Sequence, residues 1–429
     1  MLSLILTYLA IFSPALSPPT ACGQEAPQAP LATITVAAGK YTRLDTIVNL
    51  SLAEVADRLA GSEIQLQEIK GSERIPVPAQ IERANPPQLW WVLSGTTPPG
   101  QNRYYQLLKS TVPPEKSQSV AVKENGSSLQ VCLKGATVLQ YNYATVAPPE
   151  GVSELFARSG FIHPLWSPAG EPLTAIHPPD HIHHMGIWLA WTHTRLDHDE
   201  LDFWNLGKGQ GNVRFAGLIS TTEGPVFGGF QARHQHINLG APPGKNIVLE
   251  EIWDVRVYNV GGPQKGFWLW DLASTQRCTA DSPLQQLQYH YGGLAFRGPA
   301  HWTDPNCAYL TSEGKTRKDG HGTRARWCDM SGTAPTGWAG VTIISHPGNF
   351  RHPEPIRIWP EGQVFFNFAP SQLGNWTMEP SEPYTFRYRF YVHNGRINPA
   401  DAERFWNDFA DPPRVQLHIS EQDTADESG

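Results

Sequence analysis

With 429 residues and 40% apolar content, the chain holds material for one large or two ordinary domains, which excludes general disorder. A formal charge of -7 and the lack of any Lys/Arg stripe exclude the electrostatic footprint of a nucleic-acid binder. Glycine and proline at 38 each, 15 tryptophans and many Thr- and Val-containing runs point to an all-β protein rich in turns.

The opening MLSLILTYLAIFSPALSPPTACG is apolar but broken by prolines, too short to span a bilayer, and reads as an export signal over residues 1–23. Cys22 offers a lipidated alternative, although Pro19-Thr20-Ala21 before it match such a site poorly. No later segment is apolar enough to be a membrane span. A periplasmic or secreted bacterial protein is therefore expected. Export permits disulfides among Cys132, Cys278, Cys307 and Cys328; Cys307 with Cys328 is geometrically easy in a β protein, and buried free thiols are the alternative.

Residues 33–110 read as short strands of an N-terminal β domain, with QLWWVL the clearest. The Pro-, Lys- and Ser-bearing stretch 111–128 reads as a linker. Residues 129–410 then supply the strands of a large β-sandwich domain. In one of them Ile247, Leu249, Glu251, Trp253, Val255 and Val257 alternate onto one face. A helix starts at Asn398, with Pro399 at its first position, and residues 411–429 read as a polar tail.

Seven of the 16 histidines fall between Phe161 and Glu200, centred on Asp180-His181-Ile182-His183-His184. The prolines before this run argue for a loop, and Gly186-Ile187-Trp188-Leu189 for a strand after it. In a regular strand His181 and His183 share a face and His184 opposes them, but a loop lets any pair converge. Two chemistries follow. His181, His183 and His184 are candidate ligands for one divalent metal, with Asp180 as ligand or orienting carboxylate. Without a metal, His183 or His184 is a general acid/base whose tautomer Asp180 fixes.

Downstream, Glu200, Asp202, Trp204 and Asn205 combine carboxylates, a ring face and an amide, as a sugar pocket requires. Tyr289-His290-Tyr291-Gly292-Gly293 leads to Arg297, a candidate for an anionic oxygen, with Tyr291 as a substrate contact. His346, at the end of an apolar run and followed by Pro347, is a further candidate. No dinucleotide or phosphate loop is present, and Ser345 lacks a nucleophile elbow.

DHIHHMGIWLAW, LDFWN, YHYGGLAFRG, IISHPGNFRHP and RYRFYVHNG together resemble a mostly bacterial family of unknown function labelled PmoA-like or methane-oxygenase-like. The resemblance spans most of residues 35–410. It implies a secreted or periplasmic protein of polysaccharide-degrading bacteria. The family motif carries Arg where this sequence has Met185. The methane-oxygenase label conflicts with the absence of membrane spans after the signal.

The expected architecture is a small N-terminal β domain and a large β-sandwich, for which a galactose-mutarotase-like super-sandwich is one form. The expected activity is that of a carbohydrate-active hydrolase, lyase or epimerase-type enzyme acting on a glycan or small sugar. The rivals are a noncatalytic glycan binder using Trp188, Trp191 and Trp204 as platforms, and a metal-dependent oxidoreductase. Cofactors are expected to be none or one divalent metal ion.

Overall fold

A computed structural model describes residues 29–59, 62–110 and 119–419. The expected export signal, Cys22 and residues 111–118 of the expected linker lie outside the described residues. Val120–Glu124, within that linker, is a strand paired with Ser128–Leu133.

The described residues are all-β, built from large antiparallel sheets, with one substantial helix among them at Pro399–Ala410. No helix among the described residues is long and apolar enough to cross a membrane. Near the N-terminus, a five-stranded and a three-stranded sheet share a core containing Ile34, Val36, Leu66, Leu89, Trp91 and Leu107. Its edge strand comes from the far end of the chain: Arg414–Ile419 pairs with Ala32–Ala37. Part of the expected polar tail is thus a strand, placing Val415 and Leu417 against the core.

The larger body contains two eight-stranded sheets. The first runs, in spatial order, Ile356–Ile358, Phe365–Phe368, Gly293–Arg297, Ile187–Ala190, Phe161–Leu165, Ala136–Asn142, Ser128–Leu133 and Val120–Glu124. The second includes Phe227–Asn238, Ile247–Gly262, Phe267–Cys278 and Pro383–Asn394 as neighbours. Their inner faces meet in one core, where Tyr141 stacks on Phe230 at 4.5 Å and Phe368 on Tyr388 at 5.4 Å. Helix Pro399–Ala410 covers part of the other side of the second sheet through Ala402 and Phe405, beside Trp90 and Val92. The Asn398 side chain caps it, accepting from the Ala400 amide at 3.2 Å.

The alternation expected of Ile247–Val257 places Leu249, Glu251, Trp253, Val255 and Val257 in the core, including the carboxylate. Glu251 accepts from Ser274 at 2.5 Å, Trp253 at 2.7 Å and Gln276 at 3.1 Å, and lies 2.9 Å from His236. A buried charge survives only with such partners. The four described cysteines are free. The Cys307–Cys328 pairing does not form because the hairpin register sets Cys307 opposite Gly332 and Cys328 opposite Thr311.

Candidate functional site

The site follows from strand register. Trp188 pairs with Ala295, Ala295 with Asn367 and Asn367 with Arg357. Side chains alternate along a strand, so these positions share one face with Arg297 and Phe365. Phe366 and Phe368 take the opposite face, where Phe368 meets the second sheet. The candidate cleft therefore lies on the side of the first sheet turned away from the second.

Two tight turns bring the histidine loop over this face. The His181 amide donates to the Pro178 carbonyl at 3.0 Å, and the His184 amide to the His181 carbonyl at 2.9 Å. Below them an isolated bridge joins Ile176 to Met185, whose side chain is buried in the core. Gly186 has φ +65°, and a Cβ there would collide with the Ile162 carbonyl oxygen. The turn places the rings of His181 and His184 in a stack at 4.8 Å and 19°, with His183 edge-on to His184 at 4.8 Å.

Arg297 ends its strand directly beneath the loop. Its Nη2 donates to both Asp180 oxygens at 2.7 and 2.9 Å and also to Gln363 Oε1. Its Nη1 lies 3.4 Å from His184 Nδ1. A guanidinium only donates, so that nitrogen is the acceptor and His184 carries its proton on Nε2. On the other side of Asp180, His181 Nδ1 lies 3.0 Å from Oδ2. An ionised carboxylate only accepts, so His181 donates from Nδ1 and keeps Nε2 free. The carboxylate thus orients His181, whereas the sequence reading pairs it with His183 or His184.

Burial pushes the Asp180 carboxyl up, but the bonds from Arg297 and His181 outweigh it and hold it below the usual range. Burial, followed by neighbouring His181, brings His183 down to about 4. His184 is held well below its ordinary value by burial, then by His183 and Arg297. Both rings are neutral at pH 7.

A cleft opens among His181, His183, Trp204, Tyr291, Arg357 and Trp359. The Trp359 ring lies 4.7 Å from His181, and Trp204 lies 5.2 Å from Tyr291. Phe365 stacks under His184 at 4.9 Å. Arg357, Trp359, Gln363 and Phe365 were not singled out from the sequence; the alternation in IRIW, with Arg357 between two buried isoleucines, was the available signal.

The remaining expected site residues are distributed differently. Asn205 Oδ1 accepts from the Tyr291 hydroxyl at 3.0 Å, fixing that ring at the cleft. Asp202 is buried and accepts from the Trp204 and Asn205 amides, Asn205 Nδ2 and Lys208 Nζ, which occupies it in holding the loop. Trp188, Trp191 and Trp204 are buried, so none of these rings is an exposed platform; Trp191 Nε1 donates to Gln276 at 2.7 Å. Glu200 is exposed on a hairpin opposite Arg195. His346 is not brought to the cleft: its ring packs on Phe409 of the helix at 4.8 Å, and its Nδ1 accepts from the Gly348 amide.

Among the described residues, no three His, Cys, Asp or Glu side chains form a group able to hold a metal ion. The His181 Nδ1 atom is turned to Asp180 and the His184 Nδ1 atom to Arg297.

Residues 128–407 match the model of a family described as "Family of unknown function (DUF6807)". No curated protein matches the chain. Among solved structures it is similar to a TPR-domain containing protein from Parabacteroides distasonis ATCC 8503, at 9% identity and a TM-score of 0.23. That alignment covers 83% of this chain and 57% of the other.

Proposed function

The chain belongs to DUF6807, a family of unknown function, and we propose that it is a carbohydrate-active enzyme whose cleft binds a sugar and moves a proton through His181. The observation carrying this reading is the Asp180–His181 dyad at an aromatic-walled cleft. With Nδ1 donated to the carboxylate, His181 Nε2 is the proton acceptor, and Asp180 stabilises the imidazolium that forms. Trp359 and Tyr291 offer ring faces to the apolar face of a sugar.

The neutral states of His183 and His184 suit them to exchange hydrogen bonds with hydroxyls rather than to act as acids at pH 7. Two eight-stranded antiparallel sheets around one core support a galactose-mutarotase-like super-sandwich as the architecture. The expected export and the resemblance to the PmoA-like family fit a protein that meets glycans outside the cytoplasm.

Incubating plant and microbial oligosaccharides with wild type and His181→Ala, and following products by mass spectrometry, tests this reading. A product made by wild type and reduced at least a hundredfold by the variant is expected, as for loss of a general base. Saccharide binding with no turnover by wild type would favour a noncatalytic glycan binder instead.

A further inference from the structure

Among the described residues, the lining of the cleft holds one cation, Arg357, with no anionic partner. Arg357 lies between the buried Ile356 and Ile358 and lines the cleft beside Tyr291 and Trp359. Its guanidinium is 5.3 Å from the centre of the Tyr291 ring. Among the described residues it makes no hydrogen bond or ion pair, and its charge interactions are with Tyr291 and Tyr289. Of the other cations that act on the cleft residues, Arg297 is paired with Asp180 and Lys208 with Asp202, while Arg158 is buried behind the cleft and donates to the Phe203 and Leu189 carbonyls. Burial, joined by the charge of Arg357, also holds His290 and His321 below their ordinary range, so these neighbours add no cation at pH 7.

Burial likewise lowers the Arg357 guanidinium. The protein thus pays for desolvating this charge without supplying a counterion. An unmatched cation in a cleft attracts an anion even where the whole chain carries -7.

We infer that Arg357 receives an anionic oxygen group of the bound sugar, so that the ligands of this cleft are acidic saccharides bearing a carboxylate or a sulfate. This rests on the reading of the cleft as a sugar site. The guanidinium fork matches two oxygens of one such group, and the Tyr291 ring packs beside it. A neutral sugar leaves the charge unmatched.

The test uses the full chain with two sets of oligosaccharides. The acidic set comes from pectate, alginate and a sulfated galactan; the neutral set comes from cellulose, mannan and galactan. Binding is measured by calorimetry for wild type, Arg357→Gln and Arg357→Lys, with unfolding temperature recorded for each protein. Expected are at least tenfold tighter binding of an acidic ligand than of its neutral counterparts, and at least a tenfold loss in Arg357→Gln. Arg357→Lys retains part of that affinity. The pectate and alginate arms report a carboxylate, and the sulfated arm a sulfate ester.

Wild-type binding supplies a second readout that needs no variant: acidic ligands weaken as salt rises and neutral ones do not. Neutral ligands binding as tightly as acidic ones, with no salt dependence, would overturn this inference and leave the sugar-cleft reading standing. Failure of both sets to bind would overturn both.

Discussion

Arg297 and Asp180 lie 117 residues apart in sequence, and the arginine donates to both carboxylate oxygens from a position with very different access to water. The Arg297 side chain is fully buried, whereas that of Asp180 is 39% exposed. Removing either partner therefore has unequal consequences. Asp180→Ala leaves a buried guanidinium without its anion and costs about 2 kcal/mol, below the range for a fully buried pair because Asp180 is partly solvated. Arg297→Met leaves a carboxylate that water can reach, and costs less. Urea unfolding at pH 7 measures both; equal losses would contradict this asymmetry.

Gly186 is the covalent reason that the histidine loop can meet strand Ile187–Ala190. At φ +65°, a Cβ would strike the Ile162 carbonyl and come within 2.9 Å of His163 Cβ. Gly186→Ala is expected to destabilise the protein by about 3 kcal/mol, combining left-handed strain with backbone collision. Gly95 has φ +73° but no atom within 4 Å of an added Cβ. Gly95→Ala should cost only about 1 kcal/mol, the conformational part alone. Thermal unfolding of the two variants separates these effects, and similar losses would refute the proposed collision.

Glu354 is sealed in the core with Ser345 at 2.6 Å, Tyr388 at 2.9 Å and Asn349 at 3.0 Å. Burial raises its carboxyl to about 7 in spite of these donors. The folded state consequently holds a proton that the unfolded chain releases near pH 4.5. This group's contribution to stability falls as pH rises from about 4.5 to 7, and is constant above that. Glu354→Gln removes the dependence. The stability of the variant relative to wild type should increase between pH 5 and pH 8; an unchanged difference would show that Glu354 does not titrate there.

Glu251 forms the opposite kind of buried acid. Burial opposes its charge, yet bonds to His234 and His236 hold its carboxyl far below the usual range. Glu251→Ala leaves the Ser274 and Trp253 donors unpaired in the core and takes one of two acceptors from Gln276, and is expected to cost about 3 to 5 kcal/mol. Chemical denaturation measures it, and a loss under about 1 kcal/mol would show that the network rearranges without penalty.

The all-β class was legible because period-2 alternation persists in strands such as Ile247–Gly262, where even Glu251 obeys it. The strand Arg414–Ile419 was missed, although Val415 and Leu417 alternate, because its partner lies at the opposite end of the chain. The histidine loop was legible from its prolines and from local density. Which histidine Asp180 would orient was not, because turn geometry selects His181. Arg357 was hidden for a different reason. A lone arginine between isoleucines looks like an ordinary outward strand position until tertiary structure shows that no anion among the described residues pairs with it. His346 misled because the end of a buried strand need not open toward the cleft.

The most direct measurement of the central claim is a crystal structure of the full chain with a saccharide that it binds. A sugar ring is expected within about 4 Å of Trp359. A sugar oxygen is expected within hydrogen-bonding distance of His181 Nε2, at about 3 Å. A sugar held elsewhere on the protein, with the Asp180–His181 dyad untouched, would contradict the claim.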